Sequence, residues 1–157
     1  MIAQPWPRRR PEGSNGARSA EDEKGYGIRG MNLLRRGTTK SGTPAIHLLD
    51  TVCRSHRLVV RSSYGAELLA ASHGVDDAYP TMITMVELRD GILDRKTLRD
   101  YRERGKLPIK VDLTVDAESV FKSLISRDLK TPAEKTLLGH VCWLRECLQL
   151  GIIHCVQ

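Results

Sequence analysis

Apolar positions recur along this chain with two periods, and the switches between them mark its elements. From Gly25 to Arg36 the apolar members Tyr26, Ile28, Met31, Leu33 and Leu34 fit a strand, and Gly37 to Pro44 reads as a turn. Two further apolar segments, Ala45 to Val52 and Arg57 to Arg61, complete a meander, so three strands precede the first helix. That helix is predicted to start at Ser62 or Ser63, either of which can cap it. Its stripe is Leu68, Ala71, Val75, Ala78, Met82 and Met85. Pro80 either kinks one long helix or divides two, since proline removes a backbone donor and collides with the preceding turn. A polar helix from Asp94 to Arg104, stopped by Gly105, leads to a β-branched strand from Ile109 to Val115, with Pro108 tolerated at its entrance. Val120 to Ser126 predicts a short helix. Thr131-Pro132-Ala133-Glu134 then sets a cap, a first-turn proline and a capping-box glutamate ahead of the stripe Leu137, Val141, Leu144 and Leu148. Gly151 ends that helix, and Ile152 to Val156 reads as a last strand.

Residues 1–24 break this rhythm with prolines, glycines, the triplet Arg8-Arg9-Arg10 and the acidic run Glu21-Asp22-Glu23, which predicts a disordered arm ahead of one domain over 25–157. At 40% hydrophobic and 28% charged, the 157 residues have the composition of an ordinary globular domain. No stretch approaches the roughly 18 apolar residues a membrane span needs, and the amino end carries no apolar signal core. The four unevenly placed cysteines are too few for a disulfide scaffold. The expected setting is therefore intracellular, cytoplasm or nucleus, with no membrane partner. A net charge of +6 favours polyanionic partners without requiring them.

Two carboxylates stand in distinctive places. Glu67 lies in the opening turns of the predicted first helix, and Asp116 closes the strand that begins at Ile109. Such acids can converge above a sheet edge and hold hard divalent cations, the layout of a metal-dependent phosphodiester site. Each position also has a plainer explanation, because acids favour helix amino ends and aspartate favours caps. The pair in the order three strands, helix with Glu, strand with Asp, helix is what carries weight. The late cluster His140, Cys142, Cys147, His154 and Cys155 invites a zinc reading, but His140 and Cys142 stand about 200° apart around a helix, so packed thiols are the expectation. Basic residues group as Arg8 to Arg10, as Arg54, Arg57 and Arg61, and from Arg95 to Lys106. Arg54, Arg57 and Arg61 are candidate phosphate contacts. With aromatics at 4%, a base-stacking platform is not expected.

The strings Ser62-Ser63 with Ala66-Glu67-Leu68, Val115-Asp116-Ala117-Glu118-Ser119, and Thr131 through Glu146 resemble the ribonuclease H domain of Ty1/copia-type retrotransposon polyproteins. The resemblance covers roughly 25–157. It implies an α/β fold, a ribonuclease H-like mixed sheet flanked by helices, here lacking the first strand and the C-terminal helix. It also implies two-metal hydrolysis of the RNA strand of an RNA/DNA hybrid, with a reverse transcriptase domain upstream in an intact parent. Glu67 and Asp116 carry over as the second and third of four carboxylates, catalytic and metal-holding. The first corresponds best to Asn15, an amide, and a fourth is missing before Gln157. Asp50, Asp112 and Glu118 are possible substitutes, although Asp112 sits about 13 Å from Asp116 along an extended strand. The implied cofactor is Mg²⁺ (or Mn²⁺), weakly bound, with impaired catalysis. The alternative is a non-catalytic nucleic-acid-binding or interaction remnant.

Overall fold

In the computed structural model, residues 2–5, 26–59, 62–129 and 131–156 are described, with 2–5, 26–29 and 55–59 as backbone alone. The architecture is mixed α/β. Strands β1 (Ile2–Pro5), β2 (Tyr26–Thr38) and β3 (Pro44–Val59) precede helices α1 (Ser63–Asp90) and α2 (Arg95–Arg104). Strand β4 (Val111–Leu113), helices α3 (Glu118–Ile125) and α4 (Leu138–Gln149), and strand β5 (Ile153–Val156) follow, with a 3-10 turn at Lys135–Leu137 leading into α4. The five strands form one sheet in the order β3-β2-β1-β4-β5. The first three pair antiparallel, while β4 runs parallel to both β1 and β5.

At residues 2–5 this differs from the expected disordered arm, and the sheet has the opening strand it was expected to lack. Ile2–Pro5 occupies the middle of the sheet, in register with Met31 to Leu34 on one side and with Asp112 and Leu113 on the other. Pro5 closes the strand, where a missing backbone donor is tolerated. The rest of the expected arm, with Arg8 to Arg10 and Asn15, lies outside the described residues. The two strands expected between Ala45 and Arg61 are a single one. Among the described residues β3 is an edge strand bonded to β2 alone, and such a strand tolerates the polar run Arg54-Ser55-His56 that reads as a break in sequence. No helix follows β5 among the described residues.

Helix α1 starts where its cap demands. Ser62 is extended (φ −138, ψ 154), and its Oγ accepts from the Gly65 amide at 3.1 Å. The helix runs unbroken through Pro80. The proline is exposed, and so are Asp76 and Asp77 one turn earlier, so water can reach the carbonyl that proline cannot satisfy. Its opposite face supplies Leu68, Leu69, Val75, Ala78 and Met82, none more than 1% exposed. They pack with Leu33 of β2 and Val111 and Leu113 of β4, joined by Val120, Leu124, Val141 and Leu144 from α3 and α4. The alternate residues Asn32, Leu34 and Asp112 therefore point to the other side of the sheet, which no described helix covers.

The capping box expected at Thr131 does not form. Glu134 instead lies beside the first turn of α1, its Oε2 3.2 Å from where a Gly65 side chain would begin, a place where the helix dipole favours an acid. Arg145 of α4 ties down the end of α3 by donating to the carbonyls of Ser123 and Arg127, both at 3.2 Å.

Gly105 ends α2 in the left-handed region (φ 57), and a methyl group there would meet the Leu150 carbonyl oxygen at 1.6 Å. Gly105→Ala is expected to destabilise the protein by about 2 kcal/mol or more. Gly139, inside α4 with nothing within 4 Å, should accept alanine with no loss or a gain of a few tenths of a kcal/mol. Urea unfolding of the two variants checks the pair, and equal effects would contradict the packing described.

Candidate functional site

Glu67 sits in the second turn of α1 and is half-buried between Ala66 and Leu68, which belong to the core. Asp116 is exposed in the bend between β4 and α3. The two helices these acids flank are linked: Tyr64 Oη in the first turn of α1 donates to Ser123 Oγ of α3 at 3.2 Å. Neither acid joins a group of three or more metal-ligating side chains among the described residues. Of the possible substitutes, Glu118 is held by Lys122 at 2.6 Å one turn on, and Asp50 accepts from the Thr51 amide on the far edge of the sheet. Strand β1, which the resemblance would furnish with an aspartate, reads Ile2-Ala3-Gln4-Pro5 and brings no acid.

The described side chains do converge elsewhere. Asp112 Oδ1 stands 3.0 Å from His154 Nδ1 and 3.2 Å from Cys155 Sγ, and the three ligand atoms lie within 4.8 Å of one another. Neighbours in a strand normally point to opposite faces, so His154 and Cys155 should not both reach one oxygen. A register shift makes it possible: Val111 pairs with Ile153, but Asp112 pairs with Cys155, leaving His154 as the extra residue of a bulge. On the same carboxylate, Oδ2 faces the Arg36 guanidinium at 4.0 Å. Burial pushes the Asp112 carboxyl up, but its hydrogen bonds with Cys155 and His154 outweigh that and hold it below its ordinary value. Partial burial and the neighbouring carboxylate push the Cys155 thiol up.

The helical thiols are separate from this group. His140 Nδ1 bonds Ser72 Oγ at 2.9 Å, Cys147 is buried and Cys142 is exposed, so the three face different surroundings. Packing as a core thiol describes Cys147 but not Cys142. Burial, helped by Glu146 and Asp76, pushes the Cys147 thiol to about 11, and it borders a cavity of roughly 730 Å³ with Tyr79, Arg102 and Trp143. A thiol so placed stays protonated and inert near neutral pH.

Of the candidate phosphate contacts, Arg54 is exposed on β3. Arg57 lies in the same strand with its side chain outside the described residues, and Arg61 lies outside them altogether. Helix α2 has no fully buried residue, though Tyr101 packs against the core, and it exposes Arg95, Lys96, Arg99, Arg102 and Arg104, with Arg104 3.6 Å from Asp100. No described helix is long and apolar enough to cross a membrane.

Set against known protein families, curated proteins and solved structures, the chain matches none of them.

These placements order the cysteines by reactivity. Alkylation of the folded protein at pH 8 is expected at Cys53 and Cys142 first and at Cys155 more slowly, with none at Cys147 until the chain unfolds. Peptide mapping after timed quenching reads the order, and early labelling of Cys147 would contradict its burial.

Proposed function

We propose that this chain is a ribonuclease H-like domain of a Ty1/copia-type retroelement polyprotein, acting as a nucleic-acid-binding remnant in which hydrolysis of RNA in an RNA/DNA hybrid is impaired. The observation that carries the reading is the order of elements. An antiparallel meander of three strands is followed by the helix bearing Glu67, then by β4 parallel to β1, then by Asp116 and a further helix. This is the succession in which the family-like strings occur, and the fold supplies the parallel crossover that it requires.

The impaired half of the reading rests on β1. Two-metal hydrolysis needs several carboxylates around ions about 4 Å apart, and β1 contributes none while, among the described residues, Glu67 and Asp116 belong to no group of three or more metal-ligating side chains. The described residues do not make up a two-ion centre. A weakly bound Mg²⁺ or Mn²⁺ ion at Glu67 and Asp116 belongs to the reading, and no hydrolytic step is assigned to them. Binding draws instead on the +6 net charge and on exposed cations such as Arg54 and those of α2. Contacts of that kind follow a phosphate backbone without reading sequence. In an intact parent the partner upstream is a reverse transcriptase domain.

The test is a hybrid-binding and cleavage assay on the full chain. An RNA/DNA hybrid should bind with an affinity that falls steeply as salt rises, and Arg54→Ala should reduce the logarithmic salt slope by roughly 1. Glu67→Gln should leave binding unchanged or slightly tighter, and cleavage in Mg²⁺ or Mn²⁺ should stay at or near background. Strong metal-dependent cleavage that Glu67→Gln abolishes would restore the enzymatic reading. No binding even at low salt would remove nucleic acid as the partner.

A further inference from the structure

We infer that Asp112, His154 and Cys155 form a binding site for a borderline-soft divalent cation, Zn²⁺ before others, on the open face of the sheet. The site is independent of the nucleic-acid reading and shares no residue with Glu67 or Asp116. Its first support is geometric. A tetrahedral zinc site has metal–sulfur bonds of about 2.3 Å and metal–nitrogen or metal–oxygen bonds of about 2.0 Å, which puts neighbouring ligand atoms roughly 3.3–3.6 Å apart. Here Oδ1 is 3.0 Å from Nδ1 and 3.2 Å from Sγ, each within a few tenths of an ångström of that spacing, and all three atoms lie within 4.8 Å of one another, so side-chain adjustment suffices to admit the ion.

The second support is the bulge. An ordinary ladder would place His154 and Cys155 on opposite faces, and only the shift between Val111 and Asp112 turns both toward one carboxylate. The third is the donor set. One carboxylate, one imidazole and one thiol suit zinc, whereas Mg²⁺ takes oxygen and keeps its water. The ion would take the place of the proton between Cys155 Sγ and Oδ1, which the thiol releases to solvent, and His154 would bind through Nδ1 as the neutral tautomer that carries its proton on Nε2. Thiolate and carboxylate together then balance its two charges. Arg36 reaches the other carboxylate oxygen, Oδ2, and so turns Oδ1 toward the pair. With the His154 side chain 70% exposed, solvent can supply the fourth ligand.

Zinc so held would pin β5, a four-residue edge strand, to β4. The experiment uses the full chain freed of metal with a chelator and titrated with Zn²⁺ or with Co²⁺, whose thiolate charge-transfer band reports sulfur ligation. The expected result is 1:1 binding with a rise in melting temperature, a Co²⁺–thiolate band, and no response to Mg²⁺ at the same concentration. Cys155→Ser and Asp112→Asn should each weaken binding at least about tenfold. The Cys53→Ser/Cys142→Ser double variant, which removes the exposed thiols, should bind as the parent does. Zinc affinity equal in the parent and in Cys155→Ser would overturn the proposal. So would a Co²⁺ complex of the parent without a thiolate band, a reading that does not depend on any variant folding.

Discussion

Val111 and Leu113 are almost completely buried because α1 lies across them, and the remaining elements take their places from that contact. β4 is only three residues long, too short for its ladder alone to hold it. What fixes it is the apolar face of α1, from Leu68 to Met82, pressed on Leu33, Val111 and Leu113. Once those two side chains point inward, alternation sends Asp112 outward and delivers Asp116 to the bend beyond. The chain then turns into α3, whose Val120 and Leu124 enlarge the same core. Both acid neighbourhoods thus hang on one helix-on-sheet contact.

Where the sequence carried its own local chemistry, the elements were legible. The serine before α1, the glycine after α2 and the apolar stripe of α4 each act within one or two turns, so a reading of neighbours suffices. β1 was illegible for the opposite reason. Four residues ending in proline have no pattern to show, and what makes them a strand is two partners far along the chain, Met31 to Leu34 and Asp112 to Leu113. The Thr131 signal misled because the helical turn begins only at Lys135, with Glu134 turned toward the first turn of α1.

The candidate sites divide along the same line. Glu67 and Asp116 stand out because the words around them are distinctive, while the helix that holds Glu67 and the strand that leads to Asp116 can be read locally. The convergence of Asp112, His154 and Cys155 has no such signature. Alternation argues against it, and a one-residue slip between two short parallel strands leaves no trace in composition or periodicity. The one hint available was that Asp112 alternates with two apolar residues and so had to face away from them.

The long outer strand of the meander has a consequence for how the protein behaves in company. Among the described residues β3 is bonded on one side only, and along its other side it offers a row of amide and carbonyl groups beside Ile46 and Leu48, which are 67% and 54% exposed. Such an edge is a template for another extended chain. Nothing in the core opposes that. The opposition comes from His47, Asp50 and Arg54, polar or charged side chains spaced along the same strand, which act as gatekeepers against self-association. Arg54 therefore has a second occupation: whatever it contributes to binding phosphate, it also helps to keep one copy of the sheet from extending into the next.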